Sequence, residues 1–133
     1  MEVTEMRLVL TVPDFDVAVA LYRDALGLTQ LADWSSGDGR VLLLGAGRAT
    51  IELSDERHAE AVDGIEVGRR VAPRLRLAFQ VADSAGKGQH LQSAGASIVA
   101  PQVITPWGDA NVRLDAPDGT QLTLFTVRGL TNK

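Results

Sequence analysis

The chain contains no cysteine. Disulfides, a thiolate nucleophile and cysteine metal sites are therefore excluded. Histidine is nearly as scarce, with His58 and His90 the only two. Imidazole is the commonest metal ligand and the usual acid–base group near neutral pH, so both chemistries have little to work with. Positive charge is not in excess: 13 Lys and Arg face 17 Asp and Glu, a formal charge of −4. That is the opposite of a nucleic-acid binder's footprint. No apolar run approaches the roughly 20 residues of a membrane span. The N-terminal MEVTEMRLVLTV carries acids before its apolar run and no basic region, unlike a secretion signal. A soluble cytoplasmic protein is expected. Aromatics are few: Phe15, Tyr22, Trp34, Phe79, Trp107 and Phe125. Yet 45% of the residues are hydrophobic and 23% charged, the composition of a globular domain with a real core. The length of 133 residues suits one domain.

What the chain does have is an internal repeat. Arg7-Leu8-Val9-Leu10-Thr11-Val12-Pro13-Asp14 returns as Arg76-Leu77-Ala78-Phe79-Gln80-Val81-Ala82-Asp83, 69 residues later. Ile51-Glu52-Leu53 returns as Leu122-Thr123-Leu124, 71 residues later. Two copies of one unit follow from this. In each unit a strand of period two leads to a helix capped by an acid, Asp14 or Asp16 in the first and Asp83 in the second. In the first helix Val17, Ala18, Leu21, Ala25 and Leu26 recur at helical spacing. Gly27 and Gly95 end the two helices. Gly86 and Gly88 weaken the second. Strands are expected near 29–35, 40–45 and 48–54, then near 97–99, 111–115 and 121–127, joined by Gly- and Asp-rich turns. Residues 55–73, with a short helix near 56–62, read as a linker between a first βαβββ module (1–54) and a second (74–128).

The strand pattern separates two faces. Leu8, Leu10, Val12, Ile51, Leu53, Leu75, Leu77, Phe79, Val81, Val112, Leu114, Leu122 and Leu124 should lie under the helices. Arg7, Thr11, Thr50, Glu52, Arg74, Arg76, Gln80, Asn111, Arg113, Asp115, Gln121 and Thr123 share the other face. That polar face is either plainly solvated or lines a partly enclosed cleft.

Val12-Pro13-Asp14 followed by Leu21-Tyr22-Arg23-Asp24-Ala25-Leu26-Gly27-Leu28 resembles a motif of the vicinal-oxygen-chelate superfamily, which includes glyoxalases, bleomycin-resistance proteins and extradiol dioxygenases. Ala116-Pro117-Asp118-Gly119-Thr120-Gln121-Leu122-Thr123-Leu124 resembles a second, with Ala116 where Asp is usual. Thr105-Pro106-Trp107-Gly108 resembles the loop before the penultimate strand. The resemblance implies an α+β fold: two tandem βαβββ modules forming a curved, partly open half-barrel sheet with helices on the outer face. It also implies a homodimer.

In metal-dependent members the ligands fall at positions that match Arg7, Glu52, Arg76 and Thr123. Only Glu52 is a good ligand, because guanidinium is permanently cationic and has no lone pair to offer. A metal centre, a cofactor and the family's ion-assisted chemistry are therefore not expected. Either one arginine pairs with Glu52 while the other faces a ligand, or Arg7, Glu52 and Arg76 form a closed salt-bridge network. Arg113 adds to the positive lining. Trp34 and Trp107 fit no core face cleanly and are candidates for stacking on a flat ligand. The expected ligand-binding set is Arg7, Trp34, Glu52, Arg76, Trp107, Arg113 and Thr123, with no catalytic residue. Sequestration of an antibiotic or other natural product is the leading reading. A metal-independent isomerase, cyclase or lyase on the same fold is the alternative, and a fold acting only through protein contacts is the third.

Overall fold

The computed structural model describes residues 2–128. Twelve successive segments alternate as the repeat requires. Strand β1 (Val3–Val12) leads to helix α1 (Phe15–Val19), which continues as a wider π-helical stretch (Ala20–Ala25). Strands β2 (Thr29–Asp33), β3 (Val41–Ala46) and β4 (Ala49–Asp55) complete the first half. Helix α2 (Glu56–Glu66) follows. The second half is β5 (Leu75–Val81), α3 (Ser84–Ser93), β6 (Ser97–Ile104), β7 (Ala110–Asp115) and β8 (Gln121–Thr126). All eight strands form one open sheet in the order β2-β3-β4-β1-β5-β8-β7-β6.

The register shows why the repeat builds this sheet. β1 and β5 run antiparallel down the middle, with Leu8 opposite Leu77. Those two residues are repeat equivalents, so the pseudo-twofold axis passes between them. Each central strand pairs in parallel with the last strand of its own half: Val9 opposite Glu52, and Ala78 opposite Thr123. Arg7 and Arg76 thus sit symmetrically on one face, with Glu52 and Thr123 on the neighbouring strands.

The caps behave as the sequence suggests. Asp14 accepts from Val17 N and Asp83 from Gly86 N. Gly27 and Gly95 take positive φ, 89° and 117°, beyond the two helix ends. The first helix differs in which stripe it buries. Phe15, Ala18, Val19 and Tyr22 pack on Leu42, Leu44 and Leu53. Those four positions follow the i, i+3, i+4, i+7 spacing of one helix face. Val17, Leu21 and Leu26 are exposed instead. The π turn, closed by Leu26 N donating to Leu21 O at 2.8 Å, carries the later residues away from the sheet. Leu75, assigned to the covered face, is also half exposed, because neither α1 nor α3 reaches the middle of the sheet there. On the second half Val81, Val112, Leu114 and Leu124 form the matching core, backed by Leu91 and Ile98.

The segment between the halves is the largest departure. The sequence reads as a linker over 55–73 with a short helix near 56–62; the helix is present but runs over 56–66, and it packs, burying Ala59, Val62, Asp63 and Glu66. Asp55 caps it by accepting from His58 N at 2.8 Å. Asp63 and Glu66 bond to Arg113 and Asn111, so α2 lies on the polar face of the sheet, opposite α1 and α3. Helices therefore cover both faces, not the outer one alone. Among the described residues no helix is long and apolar enough to cross a membrane.

Candidate functional site

The polar face is buried, not solvated. Arg7, Glu52, Arg76, Asn111, Arg113, Gln121 and Thr123 are all buried, with Arg113 only 1% exposed. Charges taken out of water must be answered by other charges and hydrogen bonds, and α2 supplies much of the answer. Arg113 donates to Asp63 Oδ1 at 2.8 Å, to Glu66 Oε1 at 2.7 Å and to Gln121 Oε1 at 2.9 Å. Asn111 Nδ2 donates to Glu66 Oε2 at 2.7 Å. Asp63 Oδ2 accepts from the backbone N–H groups of Val71 and Ala72, both at 2.7 Å, and from Arg70 at 3.0 Å. Burial pushes the Asp63 pKa up, but hydrogen bonds from Ala72, Arg113 and Val71 outweigh it and hold the carboxyl below its ordinary value. For Arg113 burial opposes the charge, and Glu66 and Asp63 more than restore it.

Arg7 is closed off in the same way, by a residue that the sequence did not single out. Glu5 grips it in a fork, Nε to Oε2 at 2.7 Å and Nη2 to Oε1 at 3.1 Å. Glu52 stands at 3.5 Å from Nη1. The guanidinium also lies 5.3 Å from the Trp34 ring centre and 4.8 Å from that of Phe125. Arg76 differs. Its Nη1 donates to the neutral Thr123 Oγ1 at 2.7 Å. Burial first, and Arg113 second, lower its pKa, while Glu66, Glu52 and Asp63 act through space to raise it. Guanidinium does not lose its proton in proteins, so Arg76 remains a buried cation.

Arg7, Glu52, Arg76 and Thr123 do come together, with Glu66, Asp109, Asn111 and Phe125, around a cavity of about 20 Å³. About 10–15 Å³ suffices for a single water-sized probe, so this space admits no small molecule. Nor does the donor set fit the superfamily's metal. Two of the four positions are cationic, Glu52 faces Arg7, and among the described residues no cluster of three His, Cys, Asp or Glu could hold an ion. Arg113 lies outside this lining, engaged with α2 and Gln121.

The roomier space is elsewhere. A cavity of about 330 Å³ is walled by Trp34, Trp107, His58, Ala61, Val62 and Ile65, with Ser35, Ser36, Asp38 and Pro106 completing the rim. Trp34 follows β2 at one edge of the sheet, and Trp107 lies between β6 and β7 at the other. For both to border one cavity, the sheet must curve around α2. The two loops are locally braced. Trp34 N donates to Val41 O at 3.0 Å, and Ser35 Oγ accepts from Val41 N at 3.0 Å. Thr105 holds the other loop, its N–H donating to Asp109 O at 2.8 Å and its Oγ1 accepting from Asp109 N at 3.1 Å.

Gly39 lets the β2–β3 turn press onto the start of α2. Its φ is 122°, and a Cβ there would fall 2.3 Å from His58 N. His58 falls within the 55–73 segment that the sequence reads as a linker. It lines the cavity because α2 does, and Ala59 and Val62, three residues apart on one helical face, are the apolar hint that this stretch packs.

Among solved structures, the fold is similar to that of a hypothetical protein from Bacillus halodurans C-125, with a TM-score of 0.71 at 15% identity over 100% of both chains. A glyoxalase/bleomycin resistance protein/dioxygenase superfamily member from Vibrio splendidus 12B01 is similar too, with a TM-score of 0.68 at 14% identity over 94% of this chain and 99% of that one. Methylmalonyl-CoA epimerase from Mycobacterium tuberculosis gives 0.67 at 22% identity, covering 96% and 90%. At such identities the likeness concerns the fold alone. No curated protein matches the chain at a significant level. The model of the Glyoxalase/Bleomycin resistance protein/Dioxygenase superfamily matches residues 6–124. The chain therefore belongs to that superfamily.

Proposed function

We propose that this protein is a metal-independent small-molecule binder that sequesters a flat, largely apolar compound, such as an antibiotic or related natural product, between Trp34 and Trp107. The observation that carries the reading is the cavity of about 330 Å³ that these two indoles share, lined mainly by apolar side chains. Its size lies in the range of ordinary ligand pockets. Arg7 covers one face of Trp34, which leaves the other for a ligand ring. Arg7, Glu52, Arg76, Thr123 and Arg113 then act behind the site, as the charged framework that holds α2 and Trp34 in place.

We further propose that it works in the cytoplasm as a homodimer. Met6 and Leu75 support this: they are repeat equivalents, both are exposed, and they flank the pseudo-twofold axis on the outer face. Sedimentation at micromolar concentration gives twice the chain mass if so, and the chain mass if not.

Tryptophan fluorescence tests the binding reading. Titration with a panel of flat aromatic natural products should quench emission with saturation. Trp34→Leu and Trp107→Leu should each weaken binding about ten-fold, as the loss of one stacking partner requires. Unchanged affinity in both variants would reject the site. Turnover of any bound compound would instead favour the metal-independent enzyme.

A further inference from the structure

A second cavity adjoins the first. It measures about 400 Å³ and is lined by Glu5, Arg7, Leu31, Trp34, Gln80 and Asp109, among others. It shares Trp34 with the indole cavity, and the loop that carries Trp107 into one carries Asp109 into the other. The two spaces are thus bounded by the same two elements, the end of β2 and the β6–β7 loop. Their characters differ. The first is mostly apolar and contains Asp38 as its one carboxylate. The second brings two carboxylates, one guanidinium and an amide to its walls.

We propose that these are two compartments of one cleft, and that the ligand is bipartite: a flat apolar body in the indole compartment, joined to a donor-rich tail, bearing hydroxyl or protonated amine groups, that passes Trp34 into the second. The inference rests on the binding reading above and names the ligand class for it.

The chemistry of the second compartment selects the tail. Both forked donors of Arg7 are spent on Glu5, and Glu52 faces its third nitrogen. A ligand carboxylate would find that cation already neutralised and Asp109 beside it. Each carboxylate oxygen can take two hydrogen bonds. Glu5 Oε2 already accepts from Arg7 Nε and Thr50 Oγ1, while among the described residues Oε1 accepts only from Arg7 Nη2 and keeps one site for a ligand donor. The Gln80 side-chain amide has no hydrogen-bond partner among the described residues, while its backbone carbonyl accepts from Thr4 at 3.5 Å. Gln80 also lies opposite Glu5 across the β1–β5 ladder, so the amide and the carboxylate come from facing positions on adjacent strands. Net negative, acceptor-rich walls favour a tail that donates.

Doxorubicin and its aglycone, doxorubicinone, separate the compartments. Both carry the same flat ring system, and only the first carries an amino sugar. Both should bind and quench tryptophan emission, with doxorubicin the tighter. Gln80→Leu should weaken doxorubicin about five-fold, the loss of one hydrogen bond, and leave the aglycone unchanged. Gln80→Trp, which fills the compartment, should abolish the preference for doxorubicin. Thermal melts of both variants confirm folding, and the aglycone's own affinity serves as the internal control. Equal affinity for the two compounds, untouched by either variant, would overturn the bipartite site while leaving the indole site standing. Binding of neither compound would overturn both.

Discussion

The interior of this protein holds two spaces of contrasting character. At the positions that the family resemblance matched to metal ligands, two arginines, Arg7 and Arg76, crowd in with Glu52 and Thr123 until about 20 Å³ remains, and Arg113 is held by the carboxylates of α2 beside them. Around the other side of α2, apolar side chains and two indoles leave about 330 Å³. Charges out of water are stable only in partnership, so a buried polar cluster tends to close on itself. Apolar walls make no such demand and can border an opening. A row of polar residues on one sheet face invites assignment as a ligand site; in the reading proposed above it acts as the support, and the cavity wall is built from residues that the polar pattern does not mark.

The contrast is most exposed to failure at Arg113. Arg113→Ala would take the cation away from Glu66, which keeps the neutral Asn111, and would leave Asp63 Oδ1 without its donor; both acids are within 2.8 Å of Arg113 and nearly inaccessible. Urea unfolding should show a loss of about 3–5 kcal/mol, the usual cost of leaving a buried charge without its partner. A loss under about 1 kcal/mol would mean that the cluster is solvated and that α2 is not anchored through it. The same cluster sets an acid limit. The Asp63 pKa is lowered in the folded protein, so its contribution is complete above the unfolded value of about 3.9. That contribution is lost as pH falls toward the folded value. Stability measured from pH 6 downward should therefore drop below about pH 4, and Asp63→Asn should flatten that drop while lowering stability at neutral pH. A parallel acid limb in the variant would assign the loss to other carboxylates.

Gly39 probes the opposite space. Gly39→Ala puts a methyl group 2.3 Å from a backbone nitrogen of α2 at a φ of 122°. A destabilisation of about 2 kcal/mol follows from the backbone strain. Because the β2–β3 turn must lift off α2, emission from Trp34 should shift to the red in a Trp107→Phe background. A melt shifted without any spectral change would separate the turn from the indole wall.

The order of strands and helices was legible because the repeat is written in the sequence twice, at Arg7–Asp14 and Arg76–Asp83, and because capping acids and stop glycines mark helix ends. The convergence of Arg7, Glu52, Arg76 and Thr123 was legible for the same reason: equivalent positions in two copies meet at a twofold axis. Less visible was α2. Its Gly64 and charged residues give this short helix the look of a connection, since the side chains it buries include Asp63 and Glu66, whose partners on the sheet lie 45 or more residues away. Burial of an acid beside a distant arginine leaves no local periodicity to detect. Glu5 went unnoticed likewise: it sits two residues before Arg7 on the same face, where a strand acid usually meets solvent. The pocket followed α2 into obscurity, with His58 read as part of a linker and the two tryptophans recognised without a common space to share.

The smallest expected effect draws the sharpest line between inside and outside. Arg40 and Asp16 form an ion pair at 2.7 Å, the same distance as Arg113 and Glu66. Their side chains are 49% and 79% exposed, where those of Arg113 and Glu66 are 0% and 3%. Water competes for both surface partners, and holding two long side chains together costs rotamer freedom, so such pairs contribute about 0–1 kcal/mol. Asp16→Ala removes the pair and leaves Arg40 stacked 4.4 Å from the Phe15 ring centre. Unfolding in urea should place this variant within about 0.5 kcal/mol of the parent at moderate salt. If distance alone governed these pairs, Asp16→Ala would cost as much as Arg113→Ala. A difference of several-fold between the two assigns the strength of the inner cluster to its exclusion from water, and with it the reason that cluster has no room for a ligand.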